Sequence, residues 1–156
     1  MHPACFTDTR IIMLLTKLVN LINSKYSRPL ILQFTEESVL TDMENALKFF
    51  NTVQEYGVGI TISNFGKSNY SNNILTNTKP MYLKLTEEFS DFLQSDDGMV
   101  ELQEKLDVYQ EVSPDARFVL PNLDDMTAFA NSWNVNVRYL QGNYFQAKQP
   151  QFVDNA

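Results

Sequence analysis

The chain has 156 residues, enough for one domain, and its 44% hydrophobic and 12% aromatic residues are typical of a globular protein. Its net charge is −7 and its lysines and arginines are scattered, which argues against a nucleic-acid partner. The single cysteine excludes an internal disulfide and fits a reducing compartment, so we expect a cytoplasmic protein.

The amino-terminal region predicts a tail followed by a helix. We expect residues 1–7, like residues 151–156, to be flexible within a single domain that spans residues 1–156. The apolar stretch at residues 11–22 predicts a helix capped by Thr7 or Asp8. Because Lys17 interrupts this stretch and it is too short to cross a bilayer, we expect no membrane insertion. His2 and Cys5 lack further soft ligands at a suitable spacing, so we expect no metal and no cofactor there.

Strand and helix signals alternate along the rest of the chain. The strand-like segments are residues 30–36, 57–66, 81–85, 116–121 and 135–142. Helices are predicted from Thr41 or Asp42 to Gly57, within residues 87–93, over residues 99–112, and after Asp124 or Asp125, where Met126, Phe129 and Trp133 share a face. This alternation predicts an α/β fold with about five parallel strands and right-handed crossovers.

The predicted strands have two unlike faces. One parity is wholly apolar and suits a face covered by helices: Leu30, Leu32, Phe34, Ile60, Ile62, Met81, Leu83, Leu85, Phe118 and Leu120. The other parity is too polar for a sheet covered on both faces: Ile31, Gln33, Gly59, Thr61, Ser63, Tyr82, Lys84, Arg117 and Val119. This polar face therefore lines a cleft or barrel mouth, or stays partly open to water.

Five short motifs at the ends of these segments resemble, in order, those of the EAL domain, the bacterial cyclic-di-GMP phosphodiesterase family with a modified TIM barrel. Residues 32–36 (LQFTE) resemble its L-E-I-T-E segment, residues 63–66 (SNFG) its D-D-F-G, and residues 83–85 (LKL) its K-I-D with the preceding residue. Residues 120–124 (LPNLD) fall where A-E-G-V-E is expected, and residues 141–145 (QGNYF) resemble Q-G-Y-Y-F. The resemblance covers the chain from about residue 8 to residue 150 and implies a partial TIM-like barrel.

Residue by residue, the resemblance implies a pseudo-enzyme with a degenerate active site. Gln33 stands where the family has a metal-binding glutamate, Ser63 and Asn64 where it has paired aspartates, and Pro121 near its fourth acidic position. Amides and hydroxyls bind hard divalent cations weakly, so we expect no bound metal and no catalytic residue. The residues that match the family, or lie beside matching ones, are candidate nucleotide contacts: Ser63, Asn64, Phe65, Gly66, Lys84 and Gln141.

Simpler explanations exist for the same residues. Ser63 and Asn64 suit an ordinary turn after a strand, and Gln141 with Gly142 suits the end of one. Lys84 could extend to the sheet end or pair with a carboxylate such as Glu36, and we weigh that equally with a phosphate contact.

The chain is short for this family. A full EAL domain has on the order of 240 residues, as barrels of this kind do, and the E-A-L signature and the asparagine-bearing strand after it have no counterpart here. The chain is therefore either a fragment or a naturally truncated barrel. Five strands cannot close a barrel, so we expect the edge at residues 30–35 to be covered by the chain's own termini or by self-association with a second copy.

Three functions follow from the resemblance. The first is a catalytically inactive module in bacterial cyclic-di-GMP signal transduction that acts through protein interaction with a partner or regulates one. The second is a metal-independent receptor that binds cyclic di-GMP weakly, and the third is a residual metal-dependent phosphodiesterase.

Overall fold

The computed structural model of the chain describes residues 1–25, 29–120 and 139–140. Its strands are β1 (Ile31–Thr35), β2 (Gly59–Phe65), β3 (Tyr82–Leu85), β4 (Arg117–Leu120) and β5 (Tyr139–Leu140). Its helices are α1 (Thr9–Lys25), α2 (Glu36–Thr41), α3 (Met43–Glu55), α4 (Ser71–Thr78), α5 (Glu88–Asp91) and α6 (Asp96–Val112), with 3-10 helices at Pro3–Thr7 and Phe92–Gln94.

The five strands form one parallel sheet in the order β1-β2-β3-β4-β5, which confirms the predicted α/β architecture. The register places Gln33 beside Thr61, Thr61 beside Tyr82, and Tyr82 beside Arg117. A shift between Ile62 and Phe65 interrupts the pairing of β2 with β3. Within the described residues the sheet is open, with β1 at one edge and β5 at the other.

The helices cover the apolar face of the sheet. Phe34 on β1 is 1% exposed, and its ring lies 5.1 Å from Phe6, 5.9 Å from Phe49 and 5.2 Å from Phe50, centroid to centroid. Aromatic rings in such tilted and edge-on contacts bury much apolar surface, so this cluster fixes α3 and the amino-terminal segment on the sheet. Adjacent helices also touch in the order α1, α3, α4 and α6.

The polar face is less covered at its margins than at its centre. Ile31, Gln33 and Arg117 are exposed, and Tyr82 and Lys84 are half-buried. On the central strand, Thr61 and Ser63 are buried. A side chain at Gly59 would meet Met81 Cε at 2.9 Å and Ile31 Cγ1 at 3.3 Å, so Met81 reaches this face and not the apolar one as predicted. The reason is that Met81 precedes β3 and does not follow its alternation.

The helix starts follow local capping, with two departures from the prediction. Asp8 caps α1 by accepting the Arg10 N–H at 3.0 Å, as expected. Asp42 alone caps α3, accepting the Asn45 N–H at 3.3 Å. Thr41 does not join a capping box, because it belongs to α2 and its hydroxyl donates to the Glu37 carbonyl. Sequence reasoning missed α2 and α4, which are short and lack a clear apolar period.

Residues 1–7, which we expected to be flexible, pack on the core in the structure. Pro3–Thr7 form a 3-10 helix, and Cys5 and Phe6 are buried against the core. The amino-terminal ammonium of Met1 donates to the Gln33 carbonyl, so this segment also covers part of the β1 edge. Phe6 explains the order, since its ring packs on three core phenylalanines.

Some predictions lie outside the described residues. These are the helix after Asp124 or Asp125, most of the last strand segment beyond Tyr139–Leu140, and the tail at residues 151–156. Across the described ranges, no helix is both long and apolar enough to cross a membrane.

Candidate functional site

A cleft of about 430 Å³ lies at the carboxyl ends of β1, β2 and β3. Its lining includes Glu36 after β1, Asn64 and Lys67 around the turn after β2, and Thr86 after β3. Polar residues from three strands meet here because parallel strands all end at the same edge of the sheet.

Glu36 organises the helix-covered side of this cleft. It is 2% exposed and begins α2, whose first turn favours a negative side chain. Its carboxylate accepts the Lys67 N–H at 3.2 Å and the Ser68 hydroxyl at 2.9 Å, and it also accepts the Ser71 hydroxyl. Three donors satisfy the buried charge and hold the segment after β2 against α2. We name Glu36, the Lys67 backbone, Ser68 and Ser71 the Glu36 cluster.

The turn between β2 and this cluster needs unusual backbone angles. Asn64 has φ of +51° and Gly66 has φ of +97°. Asparagine tolerates the left-handed region, and glycine enters it without strain. A side chain at Gly66 would also approach the Phe89 ring to 2.6 Å and the Tyr109 hydroxyl to 3.4 Å. Gly66 is therefore required both by its own backbone and by the aromatic rings packed on it.

Phe65 belongs to the core and not to the cleft. It is fully buried, and its ring stands edge-on to Tyr109 at 5.1 Å. Burial, and to a lesser extent the charge of Glu36, raises the pKa of Tyr109 above its ordinary value. Of the candidate nucleotide contacts, Phe65 and Gly66 can therefore offer only backbone atoms to a ligand.

The positions predicted to be degenerate lie at or near the polar face. Gln33 is exposed on the edge strand, and Asn64 is exposed at the turn. Ser63 is buried, and its hydroxyl donates to the Phe34 carbonyl at 3.4 Å. Lys84 is half-buried on β3, and no ion pair joins it to Glu36 among the described residues.

These positions do not suit a divalent metal ion. Gln33 and Asn64 offer amide oxygens, while Ser63 offers a hydroxyl that already donates to a carbonyl. Mg²⁺ and Ca²⁺ need several anionic oxygens to replace their hydration shells. In the described part of the chain, no three histidine, cysteine, aspartate or glutamate side chains are grouped to hold a metal. Pro121 and Gln141 lie outside the described residues.

Another carboxylate in the cleft lining, that of Glu88, is exposed. Hydrogen bonds from its own backbone N–H and from the Thr86 side chain, with the nearby charge of Lys67, lower the pKa of Glu88. The cleft thus holds one buried, fully paired carboxylate and an exposed acidic rim.

Sequence reasoning identified Glu36 as retained but missed its role. The usable signal was its position: a glutamate directly after a strand, followed about thirty residues later by Ser68 and Ser71 just beyond a glycine turn. Donors this far from Glu36 in the sequence can be assigned to its carboxylate only when the positions of β1 and β2 in the sheet are known.

Comparison with known proteins identifies relatives of this arrangement. The sequence model of the EAL domain matches residues 1–148. No curated protein matches the chain significantly in sequence. Among solved structures, the FimX EAL domain of Xanthomonas citri, in complex with c-diGMP, is 22% identical with a TM-score of 0.78, covering 92% of this chain and 56% of that one.

Two further structures are similar in fold. The FimX EAL domain of Pseudomonas aeruginosa, bound to c-di-GMP, is 20% identical with a TM-score of 0.77, over 94% of this chain and 59% of that one. The EAL domain of Mycobacterium smegmatis DcpA is 14% identical with a TM-score of 0.73, over 91% and 63% respectively. The chain therefore spans less than two-thirds of the length of these structures.

Proposed function

Because this chain belongs to the EAL domain family, we propose that it is a non-catalytic module of cyclic-di-GMP signalling that acts by binding another protein. The observation that carries the proposal is the chemistry of the polar face. At three positions where the resemblance calls for acids, this chain places Gln33, Ser63 and Asn64. Activation of water by a metal needs anionic ligands, and these residues supply none.

The state of Ser63 supports this interpretation further. Its hydroxyl is buried and donates to the Phe34 carbonyl, and as a neutral group it does not replace the anionic oxygen of an aspartate. Meanwhile the Glu36 cluster still holds the turn in shape. A site with an ordered turn but without carboxylates on its polar face suits the binding of a partner better than the hydrolysis of a nucleotide.

The β1 edge is the proposed interaction surface. The Leu30 carbonyl accepts the Gly59 N–H, so alternate backbone groups, at Ile31 and Gln33, face away from β2. Met1 pairs with the Gln33 carbonyl, while Ile31 is 40% exposed. The part of this edge at Ile31, which the amino-terminal segment leaves exposed, can accept an added strand from a partner, or from a second copy.

The test of inactivity is direct. The purified chain, incubated with excess Mg²⁺ or Mn²⁺ and cyclic di-GMP, should give no linear dinucleotide above a heat-denatured control on chromatography. Metal-dependent turnover that Lys84→Ala abolishes would instead support a residual phosphodiesterase.

A metal-independent receptor is the second candidate, and Lys84 favours it. This half-buried cation lies on the polar face of β3, two strands from Gln33 on β1, where it could meet a phosphate as a point charge. Calorimetric titration with cyclic di-GMP should then show weak binding that survives a chelator, falls with salt and is lost in Lys84→Ala. Lys48→Ala, which removes a lysine on α3, is the matched control. No heat under any condition would favour the interaction module alone.

A further inference from the structure

Most of the exposed large hydrophobic residues of the described chain lie on two helices. On α1, Met13, Leu14, Leu18 and Leu21 are between 36% and 63% exposed. On α6, Val100, Val108 and Val112 are between 39% and 61% exposed. Clustered apolar surface of this kind marks an interaction site more often than isolated exposed residues do.

The exposed residues of α1 form a stripe with a cation inside it. Leu14, Leu18 and Leu21 are spaced i, i+4 and i+7, so they share one side of the helix. Lys17 lies three residues after Leu14 and four before Leu21, on the same side, and is exposed. The buried residues Leu15 and Val19 point to the core. The helix thus has two apolar sides: the side with Leu15 and Val19 is buried, and the side with Leu14, Leu18 and Leu21 is exposed.

The exposed residues of α6 form a matching stripe with an anion inside it. Val100, Glu104, Val108 and Val112 are spaced four residues apart and all are exposed. The core side of the helix carries Leu102, Leu106 and Tyr109. Both α1 and α6 have 17 residues, which gives each a length of about 25 Å.

The two helices carry opposite charge. Among the described helices only α1 has a net positive charge, from Arg10, Lys17 and Lys25 with no acidic residue. The α6 segment has six acidic residues and a single cation, Lys105. The chain has a net charge of −7, so its acidic surface attracts the basic stripe of α1. The stripe on α6 combines this negative charge with an apolar surface, so it complements the α1 stripe in both respects.

The positions of the two helices allow the contact between molecules. The described helices touch in the order α1, α3, α4 and α6, so α1 and α6 lie at opposite ends of this helical layer. A second copy can place its α6 on α1 and continue the layer.

We propose that α1 of one copy packs on α6 of a second copy, with the two stripes in contact and Lys17 facing Glu104 of that copy. Packing of α1 on α1 is disfavoured because it would place the basic stripes against each other. The contact is heterologous, so copies add head to tail. One helix pair covers less than the roughly 800 Å² per partner of a standard stable interface, so assembly is weak and depends on concentration.

The test uses two variants that each lose one half of the contact. Leu18→Glu removes the α1 stripe, and Val108→Glu removes the α6 stripe. Light scattering across a concentration series should show the wild type gaining mass with concentration, while each variant alone stays monomeric. When the variants are mixed, the intact α1 of one meets the intact α6 of the other, and a one-to-one complex of twice the monomer mass should form.

Several results would overturn the proposal. A wild type that stays monomeric at the highest soluble concentration contradicts it. Loss of assembly in Leu18→Glu but not Val108→Glu, with no complex on mixing, means that α1 binds another α1. Loss of assembly in Ile31→Lys means that the β1 edge carries the contact, an outcome that leaves the proposed interaction function standing. Destabilisation by Val108→Glu means that the chain itself covers the α6 stripe.

Milder substitutions guard against misfolding. Lys17→Glu and Glu104→Lys change only exposed side chains, so circular dichroism should show folded proteins. Each alone should raise the dissociation constant of assembly at least tenfold, because its own contact then joins two like charges. An equimolar mixture of the two should recover assembly, because every contact between unlike variants joins opposite charges. The double variant, which exchanges the charges, should recover assembly. Tyr56→Ser, at an exposed residue on neither helix, should change nothing.

Discussion

At the carboxyl ends of β1 and β2, the helix-covered side of the sheet and the polar face differ in packing and hydrogen bonding. On the helix-covered side, the Glu36 cluster is buried and fully hydrogen-bonded, and Phe34 and Phe65 are packed among aromatic rings. On the polar face, Gln33 and Asn64 are exposed, and Ser63 bonds only to a neighbouring strand. The comparison teaches that side-chain packing and buried hydrogen bonds shape one side of this end of the sheet, while the other side presents uncharged polar groups.

The strongest test of this difference between the two sides is to substitute two adjacent residues of β1, one on each side of the sheet. Phe34→Ala removes a ring from the centre of the aromatic cluster, and it should lower the free energy of unfolding by about 3–5 kcal/mol. Gln33→Ala, on the opposite face, should change it by less than about 0.5 kcal/mol. Urea unfolding followed by circular dichroism measures both. Equal losses would mean that the polar face is also packed.

The next largest effect is expected at the turn. Gly66→Ala combines backbone strain at a positive φ with a clash against the Phe89 ring, so it should cost about 2–3 kcal/mol. Gly57→Ala also sits at a positive φ, but no other atom lies within 4 Å of the added carbon, so it should cost only about 1 kcal/mol. Chemical denaturation of the two variants separates strain from packing. A smaller loss at Gly66 than at Gly57 would contradict the described contact with Phe89.

A smaller effect is expected in the Glu36 cluster. Glu36→Gln keeps the shape but replaces one acceptor oxygen with a donor, so one of three buried partners is left unpaired at a cost of about 1–2 kcal/mol. Glu37→Gln, at the exposed neighbour on α2, should be neutral within about 0.5 kcal/mol. Amide hydrogen exchange at Lys67 should speed up in the first variant only. Unchanged exchange there would show that Glu36 does not hold the segment after β2.

The sequence predicted the architecture better than the site. Five strands and their parallel order follow from alternation and spacing, and the starts of α1 and α3 follow from Asp8 and Asp42, because capping is local. Helix α4 was missed because Ser71–Thr78 carries hydroxyls and amides with little apolar period. The order of the amino-terminal segment was missed because it depends on Phe6 meeting three phenylalanines from distant positions.

The site was harder for the same physical reason. Gln33, Ser63 and Lys84 could be named from motifs, but the accessibility of each depends on which face of the sheet is covered. Ser63 was expected to be available to a ligand, and its hydroxyl instead donates to the Phe34 carbonyl across the strand pair. That bond depends on the register of β1 with β2, which strand patterns alone leave open.

The smallest expected effect concerns Tyr109, which packs on Phe65 and lies near Glu36 on the helix-covered side. Because burial raises the pKa of Tyr109 in the folded state, its contribution to stability is full below the unfolded pKa of about 10 and is lost as pH rises through the folded pKa. Urea unfolding between pH 8 and pH 11 should therefore show an alkaline loss that Tyr109→Phe reduces. Tyr70→Phe, at a tyrosine 64% exposed, is the control and should leave the profile unchanged. Because the charge of Glu36 also raises the pKa of Tyr109, Glu36→Gln should make the alkaline loss smaller, since the folded pKa then lies closer to the unfolded one. An alkaline profile identical in Tyr109→Phe and wild type would contradict a raised pKa of Tyr109 in the folded state.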